Sequence, residues 1–341
     1  MKVESLTSNV QRLFLTVLFA AGFGATALAQ NLTLESALAK AKDQATVASA
    51  QSELDDAKAN LQRVLGDPLL TRPNKVQAQQ RADLAQANYD RTLLQAQSSI
   101  VTAYTQLLEA QIQVRLAQKG LEVATKGVEV AQIRQKNGSG TALDLKNAQN
   151  KQDEAKTNLT RANDGLALAQ SNLQSLVGNF TSVAPLPNPP ALPDAKTVQD
   201  LLAKSPDVLQ ARQRLELASL QVEVLDPSYA AQADISAAKA KADQASAGAK
   251  EVERALGIQY DSLYQNLQAA GRALSVQSTA LANAKETQAN DKKRLDSGLI
   301  SSLAYLQSEL TTIQAELAAQ QAQGNYYRAL YSLYTGGGSG R

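Results

Sequence analysis

The chain has 341 residues, nearly equal numbers of basic and acidic side chains, and a formal net charge of +2 at pH 7. Because the positive and negative charges are so evenly balanced, they give no indication of a nucleic-acid partner. Histidine and cysteine are both absent, which excludes disulfides, thiol nucleophiles and most transition-metal ligands. Aromatic residues make up only 4% of the chain, and this composition is typical of elongated helices packed in thin layers. We therefore expect no enzyme activity, no metal and no cofactor.

Residues 1–29 have the features of a signal peptide. A basic start with Lys2 and Arg12 precedes the apolar run Leu13–Ala21, and Ala27 and Ala29 are the small residues of a cleavage site. The apolar run is shorter than a membrane span. We therefore expect the chain to be exported and its first 29 residues to be removed.

Large apolar residues recur at every seventh position in two long stretches, and alanines recur on the same period between them. The large positions are Ile100, Leu107, Val114 and Leu121 in the first stretch, and Tyr260, Leu267, Leu274 and Leu281 in the second. A seven-residue period sustained over this length indicates supercoiled helices. Gly138 and Gly298 end the two stretches, and a returning heptad run follows each of them. The sequence therefore predicts two copies of a long helical hairpin.

Each copy is predicted to contain one long helix and two shorter ones. In the first copy we expect helices over 33–65, 76–136 and 141–177, with Thr33 as the N-cap of the first. In the second copy, a helix from Thr197 to about 225 precedes a long helix that ends near 297 and a last helix from about 301. Because the two short helices together match the long one at about 1.5 Å per residue, we expect them to lie end to end beside it.

The predicted fold is all-α, with two tandem, long, antiparallel coiled-coil helical hairpins. The first hairpin repeat covers 30–179 and the second covers 197–335. Between them lies a linker at 180–196 that is rich in proline and therefore stiff, and a flexible tail follows at 336–341. Four tyrosines near the end of the chain are expected to pack against the first helix or the linker, with a membrane interface as the alternative: Tyr326, Tyr327, Tyr331 and Tyr334.

Short motifs at the start of each repeat and at the glycine turns point to one family. Leu32–Leu38 reads Leu-Thr-Leu-Glu-Ser-Ala-Leu, and Ser205–Val208 opens the second repeat with Ser-Pro-Asp-Val. Each turn has a glycine, then a threonine or serine three residues later, and then an aspartate or alanine: Gly138, Thr141 and Asp144, and Gly298, Ser301 and Ala304. In this combination the chain resembles the TolC-like outer-membrane efflux proteins over nearly all of its mature length.

The resemblance implies a homotrimeric tube whose periplasmic end is formed by the glycine turns, where a periplasmic adaptor protein and an inner-membrane pump dock. The candidate residues of the hairpin tips and aperture are Gly138, Gly140, Thr141, Asp144, Gly298 and Ser301. Three copies of the Asp144 carboxylate at a constriction would favour cations and repel one another. An aspartate in the first turn of a helix is also an ordinary helix-start residue, so both interpretations of Asp144 stay open.

The chain departs from the family between the first and second helices of each repeat, where the family has the hairpins of its membrane β-barrel. Only residues 66–75 and 227–238 are available there, whereas a hairpin needs a turn and two membrane-spanning strands of about 9–11 residues each. Residues 229–237 alternate as a single strand would, but no second strand is visible beside them. The expected fold is therefore the periplasmic α-barrel protomer with little or no β-barrel.

Two functional hypotheses follow for this exported chain, which we expect in the outer membrane or the periplasm. The first is a TolC-like efflux channel component, a passive conduit for solutes from an inner-membrane pump. The alternative is a soluble, barrel-less periplasmic coiled-coil spacer or adaptor protein, favoured by the missing strands. The transported substrate and the extent of contact with the outer membrane stay open.

Overall fold

The computed structural model describes residues 31–225 and 228–337. The predicted signal peptide and residues 338–341 of the predicted tail lie outside these ranges. The described chain is mostly helical, which confirms the predicted all-α class. Its helices are α1 Leu34–Ala39, α2 Ala45–Gly66, α3 Arg72–Lys136, α4 Ala142–Val177, α5 Ala195–Ala203, α6 Pro206–Glu223, α7 Gln232–Asp296 and α8 Ser302–Tyr334. Two short strands, β1 Asn31–Leu32 and β2 Ser182–Val183, pair in parallel.

The long helices form four rods that lie side by side. α2 and α4 follow each other along α3, and α6 and α8 follow each other along α7. α3 also packs against α6 and α8, so the order across the layer is α2 with α4, then α3, then α6 with α8, and finally α7. The predicted end-to-end packing of the short helices is therefore confirmed. The two inner rods each have two neighbouring rods, whereas each outer rod packs along one.

The beginning of the first repeat agrees with the prediction only in part. Thr33 caps α1 as expected, because its hydroxyl oxygen accepts the Ser36 N–H at 3.2 Å. The predicted continuous helix over 33–65 is wrong, since a 3₁₀ turn at Lys40–Asp43 separates α1 from α2. This break lets α1 fold onto α3, where Ala37 is fully buried.

The first helix of the second repeat is also divided, here into α5 and α6. Ser205 is the N-cap of α6, with its hydroxyl oxygen accepting the Val208 N–H at 3.4 Å, and Pro206 is the first helical residue. Proline at that position starts a helix readily and disfavours the helical conformation in the residue before it. The predicted continuous helix from Thr197 is therefore wrong.

Both long central helices begin earlier than predicted. α3 starts at Arg72 with Pro73 in its first turn, where proline is tolerated. α7 starts at Gln232, so the alternating segment 229–237 is helical for most of its length. Alanine has the highest helix propensity, and its alternation with polar residues is therefore not specific for a strand.

The buried core lies midway along the rods. Ile100, Tyr104 and Leu107 of α3 are almost completely buried, in a cluster with Leu173 of α4 and Tyr327 of α8. These residues come from both repeats, so one core joins the two hairpins. The predicted heptad stripe of α3 thus forms the centre of the molecule.

Burial along the heptad stripes is less complete toward the glycine turns. Leu107 and Leu267 are buried, whereas Leu121 and Leu281, two heptads further on, are only half-buried, although Val128, one heptad beyond Leu121, is buried again. Toward the turns, the single layer of rods leaves one side of these positions without a neighbouring helix. The seam near the tips is therefore incomplete within one chain.

A set of tyrosine hydroxyls, which we call the linker clasp, holds the proline-rich segment 185–193 against the helices. Tyr326 donates to the Pro190 carbonyl at 2.6 Å, and Tyr327 donates to the Pro187 carbonyl at 3.2 Å. A segment rich in proline lacks N–H donors of its own, so its carbonyls depend on donors from elsewhere. These C-terminal tyrosines pack against the linker, as predicted.

Candidate functional site

The two hairpin tips have the same backbone turn. Gly138 and Gly298 have φ angles of 71° and 72°, in the left-handed region that glycine adopts without steric cost. One residue further on, the Ser139 N–H donates to the carbonyl five residues before it at 2.9 Å, and the Leu299 N–H does the same at 2.8 Å. These hydrogen bonds close the ends of α3 and α7 as Schellman motifs. Both predicted tip glycines therefore occupy equivalent positions.

Gly140 differs from the other two tip glycines because the turn does not require it. A Cβ atom at this position would lie 3.0 Å from the Arg134 Cβ atom, so the backbones are close. The equivalent position of the second tip is Ile300, in a turn with the same hydrogen bonds. This type of turn therefore accommodates a side chain there after a small shift.

Thr141 and Asp144 form a reciprocal capping box at the start of α4. The Thr141 Oγ1 atom accepts the Asp144 N–H at 3.1 Å, and the Asp144 Oδ2 atom accepts the Thr141 N–H at 2.8 Å and its hydroxyl at 2.7 Å. Ser301 caps α8 by accepting the Ala304 N–H at 3.2 Å, but Ala304 has no carboxylate to complete a box. Asp144 is thus a helix-start residue, one of its two predicted roles.

The Asp144 carboxylate is exposed and negatively charged at neutral pH. Hydrogen bonds from the Thr141 N–H and then from its hydroxyl lower the pKa of Asp144 below its usual 3.8. The same side chain lies at the edge of a groove beside the first tip. A negative charge is therefore held at a defined place near this end of the molecule.

This groove has a volume of about 970 Å³ and lies between α4 and α8, with α3 as its floor. On the floor, Gly120 and Gly127 have no heavy atom within 4 Å of the place where a Cβ atom would lie. The walls combine apolar side chains with charged and polar ones, which include Asp144, Lys151 and Gln307. Sequence reasoning missed the groove, although two glycines seven residues apart inside a helix are a signal that a close approach is possible.

Ion pairs join α3 to α8 on the side of the groove that faces the core. The Lys119 Nζ atom lies 3.2 Å from Glu309 Oε2, and the Arg115 Nη2 atom lies 2.6 Å from Glu316 Oε1. Because Lys119 pairs with the earlier residue of α8 and Arg115 with the later one, α3 and α8 are antiparallel. Both tips therefore lie at the same end of the molecule. They connect the first repeat directly to the second.

Within residues 31–225 and 228–337, no group of three or more acidic side chains is placed so that it could hold a metal ion. In that same part of the chain, none of the helices combines the length and apolar character that a membrane crossing needs.

Comparison with known proteins gives one family match and several structural matches. Residues 71–179, which comprise α3, the first glycine turn and α4, match the model of the family described as outer membrane efflux protein. No curated protein matches the chain in sequence.

Several solved structures share the fold over nearly their full length. A membrane protein from Pseudomonas aeruginosa has a TM-score of 0.61 at 15% identity, with 94% of this chain and 98% of that chain covered. The outer membrane protein VceC from Vibrio cholerae has a TM-score of 0.59 at 17% identity, with 90% and 97% covered. The CmeC outer membrane channel from Campylobacter jejuni has a TM-score of 0.61 at 12% identity, with 94% of each chain covered. Identities this low show a common fold.

The family match bears on activity and location as well as on fold. Proteins of this family are channels rather than enzymes, which agrees with the expectation of no enzyme activity. The description of this family names the outer membrane, which agrees with the expected export to the outer membrane or the periplasm. The match over 71–179 and the shared fold confirm the predicted resemblance to the TolC-like outer-membrane efflux proteins.

Proposed function

We propose that three copies of this chain form a helical tube that passively conducts solutes from an inner-membrane pump toward the cell surface. A periplasmic adaptor protein docks at the glycine turns and in the groove beside the first turn. The hairpin repeats at 30–179 and 197–335 each supply two rods of the tube wall. The linker at 180–196 and the clasp that holds it keep the two repeats in register.

The open layer of four rods is the observation that supports a tube of several copies. Both outer rods expose large apolar side chains: Leu168 of α4 is 63% exposed, and Ile258 and Val276 of α7 are 60% and 63% exposed. Contact between α4 of one copy and α7 of the next would remove these side chains from water. A ring of copies joined head to tail uses both faces of every copy and leaves none exposed.

The tips are the part of the tube wall that is suited to movement. Half-buried seam positions such as Leu121 and Leu281 are less firmly packed than Leu107 in the core, so local opening costs less there. Opening proceeds by untwisting the hairpin ends around Gly138 and Gly298. Three Asp144 carboxylates then line the aperture, where their repulsion favours opening and a partner's cations favour closure.

Light scattering of the exported chain in mild detergent tests the tube. We expect the mass of a trimer for the wild type, and of a monomer for Leu168→Asp and for Val276→Asp, because each places a charge in an apolar contact. Leu69→Asp is the matched control, since Leu69 is also an exposed leucine but lies in the connection between α2 and α3. A wild-type chain that stays monomeric at high concentration contradicts the proposal.

A soluble periplasmic spacer or adaptor protein is the second candidate function. It is supported by the short connections at 67–71 and 224–231, which leave few residues between the helices of each hairpin. Cell fractionation separates the two candidates. Release with the soluble periplasmic fraction as a monomer would support the spacer, whereas a trimer retained by outer membranes after a high-salt wash would support the channel.

A further inference from the structure

The end of the molecule that carries the glycine turns has an excess of positive charge. Residues 131–147 and 291–307, which span the two turns, contain six basic and three acidic side chains. Their formal charge is therefore +3, whereas the whole chain has only +2, so the remaining residues sum to −1. The positive charge of the chain is concentrated here, and we call residues 131–147 and 291–307 together the basic end.

Four of the six cations at the basic end are exposed and form no ion pair with the carboxylates of the described residues. They are Arg134 and Lys136 at the end of α3, Lys146 at the start of α4, and Lys293 at the end of α7. The other two cations are paired, Lys292 with Asp296 at 2.9 Å and Arg294 with Asp291 at 3.1 Å. Two of the three acidic groups are thus already neutralised by neighbours.

Asp144 is the remaining carboxylate, and it lies within the influence of these cations. Its pKa is lowered first by the hydrogen bonds from Thr141 and also by the positive charge of Arg134. A ring of Asp144 carboxylates on its own would favour cations, but each copy brings four unpaired cations to the same end for one such carboxylate. The net field at the basic end is therefore positive.

The next acidic side chains along α3 do not offset this field. Glu122 and Glu129 form ion pairs with Lys119 and Lys126, which lie three residues before each of them. The potential of an unpaired charge extends over about a Debye length, about 8 Å at physiological ionic strength, so cations on neighbouring turns reinforce one another. Charges of one sign gathered at an opening raise the local concentration of solutes of the opposite sign.

We propose that the basic end makes the tube selective for organic anions, solutes that combine an apolar body with a carboxylate, sulfate or phosphate group. This inference rests on the proposed function, because it names the class of solute that enters the tube at the glycine turns. Ile133, Leu143 and Leu299 are 58%, 65% and 73% exposed at the same end. An apolar solute body finds apolar contacts there, while the unpaired cations attract its charged group.

Binding of hydroxypyrene trisulfonate, a fluorescent organic anion, to the exported chain in non-ionic detergent is the first test. We expect binding that weakens as the salt concentration rises, and about fivefold weaker binding for the double variant Lys136→Gln with Lys293→Gln. The matched control is Lys239→Gln with Lys241→Gln, which removes two exposed lysines near the start of α7 and should bind like the wild type. No binding by the wild type, or equal losses in both double variants, would overturn the proposal.

Charged thiol reagents measure the sign of the potential at the basic end in a trimer and in a monomer alike. The chain contains no cysteine, so a single substitution supplies the only thiol. Ser139→Cys places it at the first turn, and the reference Ser171→Cys places it at an exposed position of α4 with no charged residue within six positions along the chain.

For each thiol we compare the reaction rate with a sulfonate-bearing methanethiosulfonate to the rate with an ammonium-bearing one. We expect this ratio to be about fivefold higher at Ser139→Cys than at Ser171→Cys, and to fall when Lys136→Gln and Lys293→Gln are added. Equal ratios at the two sites would mean that the basic end does not attract anions. A monomeric mass in light scattering would instead contradict the tube, so the two failures are distinguishable.

Discussion

Two glycines with left-handed backbone set the ends of the long helices. Replacing Gly138 or Gly298 by alanine forces a Cβ atom into a conformation that costs about 1–2 kcal/mol for ordinary residues, since both φ angles are positive. We expect each variant to lose that much stability in urea unfolding. Gly127→Ala is the control, because we expect it to change the free energy of unfolding in the opposite direction. Its backbone is helical and space is open around it, so it should gain about 0.5–1 kcal/mol.

The capping box at the first tip should make stability depend on pH. The pKa of Asp144 is lowered in the folded chain by the Thr141 N–H and hydroxyl, so the carboxylate stabilises the fold above its usual pKa of 3.8 and loses this effect as the pH falls below it. We therefore expect Asp144→Asn to be less stable than the wild type at neutral pH, with a smaller difference near pH 2–3. Thr141→Ala should cost about 1 kcal/mol.

The second tip supplies an internal control for this capping box. Ser301 caps α8 without a carboxylate partner, because Ala304 stands where the first tip has Asp144. Ala304→Asp should complete the box and raise the unfolding midpoint at neutral pH but not in acid. A gain that is the same at both pH values would mean that the carboxylate is not the cause.

At the scale of elements, we expect the linker clasp to be lost at alkaline pH before the long helices unfold. Burial raises the pKa of Tyr327 to about 12 from its usual 10.0. The neutral phenol therefore stabilises the fold fully below pH 10, and this contribution is lost as the pH rises from about 10 to about 12. Ultraviolet titration should show the late ionisation, and proteolysis at 185–193 should increase over the same range.

Loss of a clasp hydroxyl tests the same element near neutral pH. Tyr326→Phe and Tyr327→Phe each remove one donor to a linker carbonyl and should cost about 1 kcal/mol, with faster cleavage of the linker by proteases. Tyr229→Phe is the control, because its side chain is almost fully exposed. Equal cleavage rates in all three variants would show that the clasp does not hold the linker.

The long helices and their order could be predicted from the sequence because heptads, glycine turns and prolines each act on the backbone through local interactions. The break at Lys40–Asp43 could not, since it contains neither glycine nor proline and forms so that α1 can pack on α3. The break before Pro206 had a signal in its Ser-Pro pair. The pairing of β1 with β2 joins residues far apart in sequence, and no local pattern indicates it.

The candidate site was predictable to a similar extent. The turns at Gly138 and Gly298 and the cap at Thr141 follow from local sequence, and they lie where the sequence placed them. The groove over Gly120 and Gly127 depends on how α4 and α8 flank α3, which is a tertiary arrangement. Its residues are spread over two repeats, so the sequence does not display them as a motif.

At the scale of the whole molecule, a single chain leaves part of its apolar packing surface exposed. The core at mid-length is contributed by both repeats, but the seams toward the tips and the faces of α4 and α7 remain partly exposed. In the proposed trimer, association of the copies would cover these surfaces. Its stability should therefore depend on concentration, unlike that of a helical strut complete in itself.

We expect the unfolding midpoint to rise with protein concentration, because dissociation of a trimer releases three chains and is opposed by mass action. For a chain of this size the shift should be about 1–2 °C for each tenfold increase in concentration. Leu168→Asp should abolish the shift by preventing contact between copies, whereas Leu69→Asp should retain it. Scanning calorimetry over a hundredfold range of concentration measures the effect. A midpoint that stays constant for the wild type contradicts the trimer, since the unfolding midpoint of a monomer does not depend on protein concentration.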